Sequence, residues 1–183
     1  KKRKFKTPAT LFGPQFALLS NEFSKFRQIS INRRSKQQLL GHKIKKIFIL
    51  ISLGLYDINE LLPTLVNTIS KIANVNVIVA TSSECQTINE LKELEKKFNN
   101  IDLQIDTSNM AKLMLKADIC VGASGMSVWE RCCMGLPSLT ISVADNQEKI
   151  TKELSDLNAM QQISIDEAKK NKKLTKSILN IIH

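Results

Sequence analysis

The chain has 183 residues, of which 43% are hydrophobic, and this is enough for one domain with a buried core. Its longest apolar stretch is broken by lysines and a glycine and falls short of the ~18 residues that a membrane-spanning helix needs. The basic start of the chain is not followed by the apolar core of a signal peptide. We therefore expect no membrane insertion and a cytoplasmic location.

Positive charge is concentrated at the start of the chain. The net charge is +10, and residues 1–46 hold 13 Lys and Arg against the single acid Glu22, whereas residues 47–150 hold 8 against 12 Asp and Glu. A basic arm can bind nucleic acid, but no recognisable helix-turn-helix, zinc finger or pattern of interleaved aromatic residues accompanies it. We therefore expect a solvated basic segment and no nucleic-acid partner.

The first 43 residues carry no regular repeat. The stretch TPATLFGPQFALLSNEFSKFRQ predicts a short strand, a Gly-Pro turn and a partial helix. We interpret residues 1–43 as a basic leading segment and interdomain linker, and residues 44–183 as the folded domain that carries the site. Because the chain also lacks an initiating Met, we expect it to be the second half of a larger protein.

From Ile44 onward, strand and helix patterns alternate. Five buried strands and a sixth, short one are predicted in the segments IKKIFILISLG, VNVIVAT, IDLQI, DICVGA, LPSLTISVA and MQQIS. Apolar residues at helical spacing predict helices over residues 59–72, over TINELKELEKKF, MAKLMLKA and DNQEKITKELSDL, and after Met126. One final helix is predicted over IDEAKKNKKLTKSILNII.

This alternation predicts the α/β class, with a Rossmann-like, doubly wound parallel sheet that has helices on both faces. In such sheets, ligands bind outside the carboxyl ends of the strands. Glycine or polar residues follow five of the predicted strands, as SLGLYD, ATSSE, the turn near Ser108, GASGMS and SVADNQ. We therefore expect the functional site at that edge of the sheet.

The stretch GASGMSVWE joins a predicted strand to a predicted helix. Free backbone N–H groups at a helix start suit an anion such as a diphosphate, and Gly122 and Gly125 carry no Cβ that would keep a ligand from the backbone. Ser124 and Ser127 add hydroxyl donors. The alternative interpretation is an ordinary capped turn, because the motif is neither a Walker A loop nor the G-x-G-x-x-G of dinucleotide-binding folds.

Two charged residues follow in the same predicted helix. Glu130 can accept hydrogen bonds from both hydroxyls of a ribose beside the turn, or it can close a capping box with Ser127, three residues earlier. The residue types alone do not decide between these two roles. We interpret Arg131 as a surface or interdomain charge rather than a phosphate ligand.

Other strand ends supply further candidates. Ser52 and Gly54 end the first strand, where a second turn facing a diphosphate could form, and Asn146 and Gln147 begin the helix after the fifth strand. Asp57 is interpreted as a helix N-cap. No Ser-His-Asp arrangement, Cys-His pair, paired carboxylates or metal-ligand spacing stands out, and we expect the four cysteines to be reduced.

Three segments together resemble a known family. LFGPQFALLSNEF, IFILISLGLYD and NMAKLMLKADICVGASGMSVWERCCMGLPSLTISVADNQ are similar to the UDP-sugar hydrolases of pseudaminic acid biosynthesis. These enzymes release UDP from UDP-2,4-diacetamido-2,4,6-trideoxy-β-L-altropyranose, and their fold is that of GT-B glycosyltransferases such as the MurG type. The resemblance runs from about Thr10 to Leu157 and covers the C-terminal domain of the family.

The resemblance implies that residues 44–183 bind UDP and that the sugar faces an interdomain cleft. It implies that the turn after the fourth strand surrounds the diphosphate and ribose, that Glu130 binds the ribose hydroxyls, and that the segment around Met110 lies near the uracil. The nucleotide-binding set that it implies is Ser52, Gly54, Met110, Gly122, Ser124, Gly125, Met126, Ser127, Glu130, Asn146 and Gln147.

The resemblance also implies what else the reaction needs. The family's reaction uses no metal or other cofactor, and its catalytic His lies in an N-terminal domain that this chain does not contain, so that domain is an implied partner. No catalytic residue is assigned here, because His42 and His183 do not match the family's His. Leu55 replaces a family glycine and would narrow the phosphate turn. The alternatives are the C-terminal half of a GT-B glycosyltransferase with a UDP-sugar donor, and a non-catalytic, degenerate UDP-sugar-binding domain.

Overall fold

A computed structural model describes residues 16–40, 46–54, 57, 60–142 and 145–182, and the side chains of residues 37–40 and 145–150 lie outside this description. Within these residues the elements are α1 (Asn21–Leu40), β1 (Ile47–Ser52), α2 (Leu62–Ile69), β2 (Val75–Thr81), α3 (Ile88–Lys97), β3 (Ile101–Ile105), α4 (Met110–Lys116), β4 (Ile119–Ala123), α5 (Ser127–Cys133), β5 (Ser138–Ile141), α6 (Asp145–Asp156), β6 (Gln161–Ile163), α7 (Ile165–Ala168) and α8 (Asn171–Ile182). None of these helices combines the length and the hydropathy that crossing a bilayer requires.

The six strands form one sheet in the order β3-β2-β1-β4-β5-β6, and every neighbouring pair is parallel. β1 lies inside the sheet, with Ile49 opposite Val77 of β2 on one side and Ile119 of β4 on the other. After β1, the strands β2 and β3 are added on one side of it, and β4, β5 and β6 are then added on its other side. This arrangement confirms the predicted Rossmann-like, doubly wound α/β class.

Helices cover both faces of the sheet because the central strands bury side chains on both sides. On β1, Ile49 and Ile51 join one apolar core with residues of α2, α3 and α8. Leu50 points the other way and joins Phe23 of α1 and Met114 of α4 in a second core. A strand that is buried on both faces forms a continuous apolar run, and this is why the segment IFILIS predicts a strand so clearly.

The prediction of one final helix is wrong, because the chain forms α7 and α8 with a break between them. Ser164 begins α7 with a capping box, in which its hydroxyl accepts from the Glu167 N–H at 3.2 Å and the Glu167 carboxylate accepts from the Ser164 N–H at 3.2 Å. Ala168 and Leu174 are both fully buried. Six residues correspond to about 240° around one straight helix, so the break allows both side chains to reach the core.

The leading segment forms a longer helix than the partial one predicted, and the predicted strand and Gly-Pro turn lie outside the described residues. The Arg34 guanidinium of α1 donates to the carbonyl groups of Met114 at 2.7 Å, Ala117 at 2.8 Å and Met134 at 2.9 Å. These carbonyls belong to the carboxyl ends of α4 and α5, where helix carbonyls lack partners. For this arginine, the expectation of a solvated basic segment is therefore wrong.

Candidate functional site

The carboxyl ends of β1 and β4 lie side by side at the point where the strand order reverses. Ser52 of β1 stands opposite Gly122 of β4, and the predicted edge is therefore the crevice where doubly wound sheets bind their ligands. Gly54 follows β1 with a φ of 104°, and its Cβ position faces open space. Glycine is needed there because side chains rarely adopt this backbone conformation.

The β4–α5 turn, residues 123–127, occupies the centre of this edge. Ser124 is buried, and its hydroxyl makes long hydrogen bonds of 3.4 Å to the carbonyl of Ile141 and to the hydroxyl of Ser142. This side chain therefore joins the ends of β4 and β5. Met126 is 61% exposed and is the N-cap residue of α5.

Arg131 lies beneath the β4–α5 turn, so its interpretation as a surface or interdomain charge is wrong. The side chain is only 1% exposed. Its Nη2 donates to the Ala123 carbonyl at 2.9 Å and to the Thr140 hydroxyl at 3.4 Å, and its Nη1 donates to the Ser127 hydroxyl at 3.2 Å. A lone arginine in a short helix gives no sequence signal for burial, because its acceptors come from two strands and a turn.

The glycine at position 122 leaves room for Arg131. A Cβ at this position would overlap Nη1 of Arg131, and it would stand 3.1 Å from Cζ of Arg131 and 3.2 Å from the Ser52 carbonyl oxygen. The space that glycine provides is therefore filled by the protein's own guanidinium. This is a different reason for the glycine from the ligand approach predicted from the sequence.

Glu130 is half-buried beside the same turn. Burial raises the pKa of its carboxyl group above the usual value, and the positive charge of Arg131 opposes this shift. The predicted alternative of a capping box with Ser127 is not found, because α5 begins after Met126 and has no side-chain cap. Glu130 therefore does not cap α5, and among the described residues the charge that acts on its carboxyl group is that of Arg131.

The remaining predicted residues are distributed around the crevice. Gly125 is half-buried within the β4–α5 turn. Asn146 and Gln147 lie in the first turn of α6, which follows the end of β5, and their side chains are outside the described residues. Met110 begins α4 and packs, partly buried, against the core beneath α1 and α4. The structure thus brings Ser52 next to the β4–α5 turn, whereas Met110 belongs to a helix that contacts α1.

Asp57 is not the N-cap residue predicted from the sequence, because Leu61 holds that position in α2, but its side chain does bind the start of the helix. Its carboxylate accepts from the backbone N–H groups of Leu61 at 2.8 Å and Leu62 at 2.9 Å at the start of α2. The Thr87 hydroxyl donates to the same carboxylate at 2.9 Å. This buried group is therefore structural. The predictions for Leu55, His42 and His183 concern positions outside the described residues.

The described residues offer neither a metal centre nor an activated thiol. No group of three or more His, Cys, Asp or Glu among them could hold a metal ion. All four cysteines are free, as expected, and burial raises the pKa of the Cys120 and Cys132 thiols, which makes them poorer nucleophiles at neutral pH.

Two curated relatives resemble the chain. It is 27% identical over 134 residues to the uncharacterized protein MJ1062 of Methanocaldococcus jannaschii. The matched residues cover 71% of this chain and 26% of that protein. It is 25% identical over 125 residues to the spore coat polysaccharide biosynthesis protein SpsG of Bacillus subtilis. The matched residues cover 65% of this chain and 36% of that protein. The chain thus spans about a quarter to a third of the length of these relatives.

Two solved structures share the fold. MurG of Acinetobacter baumannii superposes with a TM-score of 0.60 and 18% identity, over 83% of this chain and 45% of that one. The UDP-GlcNAc 2-epimerase of Neisseria meningitidis, solved with bound UDP-GlcNAc, superposes with a TM-score of 0.59 and 15% identity, over 88% of this chain and 42% of that one. These likenesses confirm the predicted C-terminal half of a GT-B fold.

A sequence model of a protein family also matches the chain. The model of the glycosyltransferase family 28 C-terminal domain matches residues 48–183. This range contains the whole parallel sheet except the first residue of β1, together with the crevice and the β4–α5 turn. The chain therefore belongs to the family of glycosyltransferase family 28 C-terminal domains.

Proposed function

We propose that this chain is the nucleotide-binding half of a UDP-sugar hydrolase, which releases UDP from a 2,4-diacetamido-trideoxy-hexose in nonulosonic (pseudaminic) acid biosynthesis. The observation that carries the proposal is the Glu130 carboxylate, which is half-buried beside the crevice and takes no part in helix capping. A carboxylate held in this way can accept hydrogen bonds from both hydroxyls of a ribose. The relative SpsG is named for polysaccharide biosynthesis, which is in keeping with a role in surface-glycan synthesis.

The proposal assigns roles along the carboxyl edge of the sheet. The β4–α5 turn binds the diphosphate and the ribose, with the Ser127 hydroxyl as a donor, and the end of β1 faces the phosphates. The segment that starts α4 lies near the uracil, and the first turn of α6 reaches the sugar or the phosphates. The residues in these roles are Ser52, Gly54, Met110, Gly122, Ser124, Gly125, Met126, Ser127, Glu130, Asn146 and Gln147.

In this proposal the chain binds and stabilises the leaving group. Hydrolysis of a UDP-sugar breaks a bond to the diphosphate, which leaves with negative charge, and donors fixed beside the phosphates lower the energy of that step. A general base for the attacking water must lie within hydrogen-bond reach of it. We assign that base to the N-terminal domain that the family resemblance implies as a partner.

The first test is a calorimetric titration of wild type and Glu130→Gln with UDP and with 2′,3′-dideoxy-UDP. Glu130→Gln keeps the size of the side chain and removes its charge. Hydrogen bonds to a charged group contribute ~1.5–3 kcal/mol, so we expect UDP binding to weaken by at least about tenfold. The dideoxy nucleotide lacks both ribose hydroxyls, and its affinity should not change. Equal losses for the two nucleotides would contradict the ribose role of Glu130.

A glycosyltransferase is the second candidate, because the chain belongs to a glycosyltransferase domain family and has the fold of MurG. The two candidates differ in the acceptor, which is water in one and a second molecule in the other. The test incubates the full-length protein with a UDP-sugar. Release of UDP and free sugar in equal amounts without an acceptor supports the hydrolase, and release of UDP only when an acceptor is added supports the transferase. Binding without release would indicate a non-catalytic UDP-sugar-binding protein.

A further inference from the structure

Arg131 carries a buried positive charge beneath the β4–α5 turn. Its Nη atoms donate to the oxygens of Ala123, Ser127 and Thr140 at 2.9, 3.2 and 3.4 Å, and its Nε is buried without a hydrogen-bond partner. A guanidinium has five N–H donors. Three neutral oxygens, one of them distant, and the weakly accepting thiol of buried Cys120 satisfy it only in part. The hydrogen bonds of the domain therefore do not fully explain why this charge is buried here.

Among the side chains that the structure describes, no carboxylate forms an ion pair with Arg131. The ion pairs found there use other cations, which are Arg33, Lys96, Lys116 and Lys173. Glu130 is near enough for Arg131 to oppose the rise in the pKa of its carboxyl group, but the two side chains do not pair. A buried charge lowers stability unless another charge compensates it. The Arg131 cation is therefore suited to an anion that arrives with a ligand.

The position of the charge is fixed by the surrounding fold. Gly122 of β4 provides the space for the guanidinium, since a Cβ there would overlap Nη1. The hydroxyl of Thr140, which accepts from Nη2, itself donates to the Met160 sulfur at 3.1 Å. A cation held between two strands in this way needs no rearrangement when a ligand binds, and a low local dielectric strengthens its attraction for a nearby anion.

We propose that Arg131 is a positioning residue for the diphosphate of the ligand, which it stabilises from beneath the β4–α5 turn without contacting it. This inference rests on the proposed function of the turn as a UDP site. The Ser127 hydroxyl accepts from Nη1 of Arg131, so its own proton is free to donate to a phosphate oxygen on the crevice side. Arg131 thus orients one donor of the turn and adds a permanent positive charge behind it.

The test compares Arg131→Lys, which keeps the charge, with Arg131→Gln, which removes it and keeps a donor. Each variant and the wild type are titrated with UDP and with uridine, which lacks the diphosphate. We expect Arg131→Gln to weaken UDP binding at least about tenfold and to leave uridine binding unchanged, while Arg131→Lys stays within about threefold of wild type for UDP. A purely structural Arg131 would reduce the affinities for UDP and uridine by the same factor, and this result would overturn the inference.

Ser127→Ala provides a second variant in case Arg131→Gln does not fold. We expect it to weaken UDP binding about threefold or more and to leave uridine binding unchanged, because the oriented hydroxyl is lost; unchanged UDP affinity would overturn the inference. If the wild type bound no UDP, the proposed function would fail and the role of Arg131 with it. Wild-type binding of UDP with no selective loss in Arg131→Gln would overturn the role of Arg131 alone.

Discussion

Two of the arginines that the structure describes are buried, Arg34 in α1 and Arg131 in α5, and they have different surroundings. The Nη atoms of Arg34 donate to three backbone carbonyls at 2.7 to 2.9 Å, and also to the carbonyl at 3.3 Å and the hydroxyl of Ser30. The Nη atoms of Arg131 donate to one carbonyl at 2.9 Å and to two hydroxyls at 3.2 and 3.4 Å. Nε of each arginine is buried without a hydrogen-bond partner. The two therefore differ at their Nη atoms, where Arg34 has the shorter hydrogen bonds.

The difference follows from which end of the helices each guanidinium faces. The acceptors of Arg34 lie at the carboxyl ends of α4 and α5, where unpaired carbonyls carry partial negative charge. Burial, with a smaller contribution from the charge of Arg33, lowers the pKa of Arg34 to about 10, so it stays protonated at neutral pH. Arg131 lies where the strands end, with no helix carboxyl end among its acceptors. One arginine thus attaches a helix, and the other keeps charge available for a ligand.

Replacing Arg34 tests the structural side of this comparison and should have the largest effect. Arg34→Ala leaves the carbonyls of Met114, Ala117 and Met134 without this donor, and we expect the free energy of unfolding to fall by about 3 kcal/mol or more. Urea denaturation measures this change. The UDP affinity of the folded variant should stay near that of the wild type, and a selective loss of UDP affinity would contradict the division of roles.

A substitution at Gly122 tests whether this glycine serves Arg131. Gly122→Ala places a methyl group on the guanidinium, and we expect a loss of about 1–3 kcal/mol in the free energy of unfolding, as for other overpacked sites. In the Arg131→Gln background the shorter side chain leaves room, and the loss should shrink by at least about 1 kcal/mol. Urea denaturation of the four proteins gives this coupling. Additive losses would show that the glycine is needed for another reason, such as the nearby Ser52 carbonyl.

The parts of the fold that the sequence predicts well are those that local patterns determine. The run IFILIS is apolar throughout because β1 is covered on both faces, and the helical spacing in 59–72 matches the buried face of α2. The order of strands and helices then predicts the parallel sheet and the edge where polar clusters meet. The sequence predicts that Asp57 binds the start of a helix, because a carboxylate there accepts from free N–H groups, but it does not predict that Leu61 is the N-cap residue.

What the sequence does not predict depends on contacts between distant segments. α1 has little apolar periodicity, and the polar side chains of Arg34 and Ser30 bind α4 and α5 beside the buried Phe23. Arg131 and Gly122 are nine residues apart in the chain, and only the pairing of strand and helix shows that one leaves space for the other. For Glu130, the sequence allows a capping box and a ligand role alike. The start of α5 after Met126 removes the first of these.

The carboxyl group of Glu130, beside Arg131, should make the UDP affinity depend on pH. Burial raises the pKa of its carboxyl group above 4.5, against the opposing charge of Arg131. We expect UDP affinity to fall as the pH is lowered through this raised pKa, because the protonated carboxyl loses acceptor capacity. Calorimetric titrations from pH 7 downward measure this change. UDP affinity in Glu130→Gln should depend less on pH, and an equal dependence in the two proteins would assign the effect to another group.

The same carboxyl group affects stability with the opposite sign. Because it ionises at higher pH in the folded state than in the unfolded state, it makes the free energy of unfolding fall as the pH rises from about 4.5 through the raised pKa. Glu130→Gln removes this contribution, so the variant should be at least as stable as the wild type at pH 7 while it binds UDP more weakly. Lower stability of the variant would indicate that Glu130 holds the fold as well as the ligand.

Replacing Arg27 should change the free energy of unfolding least. It shows whether the loss in Arg34→Ala comes from burial of the arginine or from its hydrogen bonds. Arg27 is exposed on α1 and donates to the Cys133 carbonyl, at the same carboxyl end of α5 that Arg34 reaches. In Arg27→Ala, water can replace the lost donor, so we expect the free energy of unfolding to fall by no more than about 0.5–1 kcal/mol. Urea denaturation beside Arg34→Ala measures the difference between the two sites. Similar losses of unfolding free energy in Arg27→Ala and Arg34→Ala would mean that the helix-end carbonyls need these donors even where water can reach them.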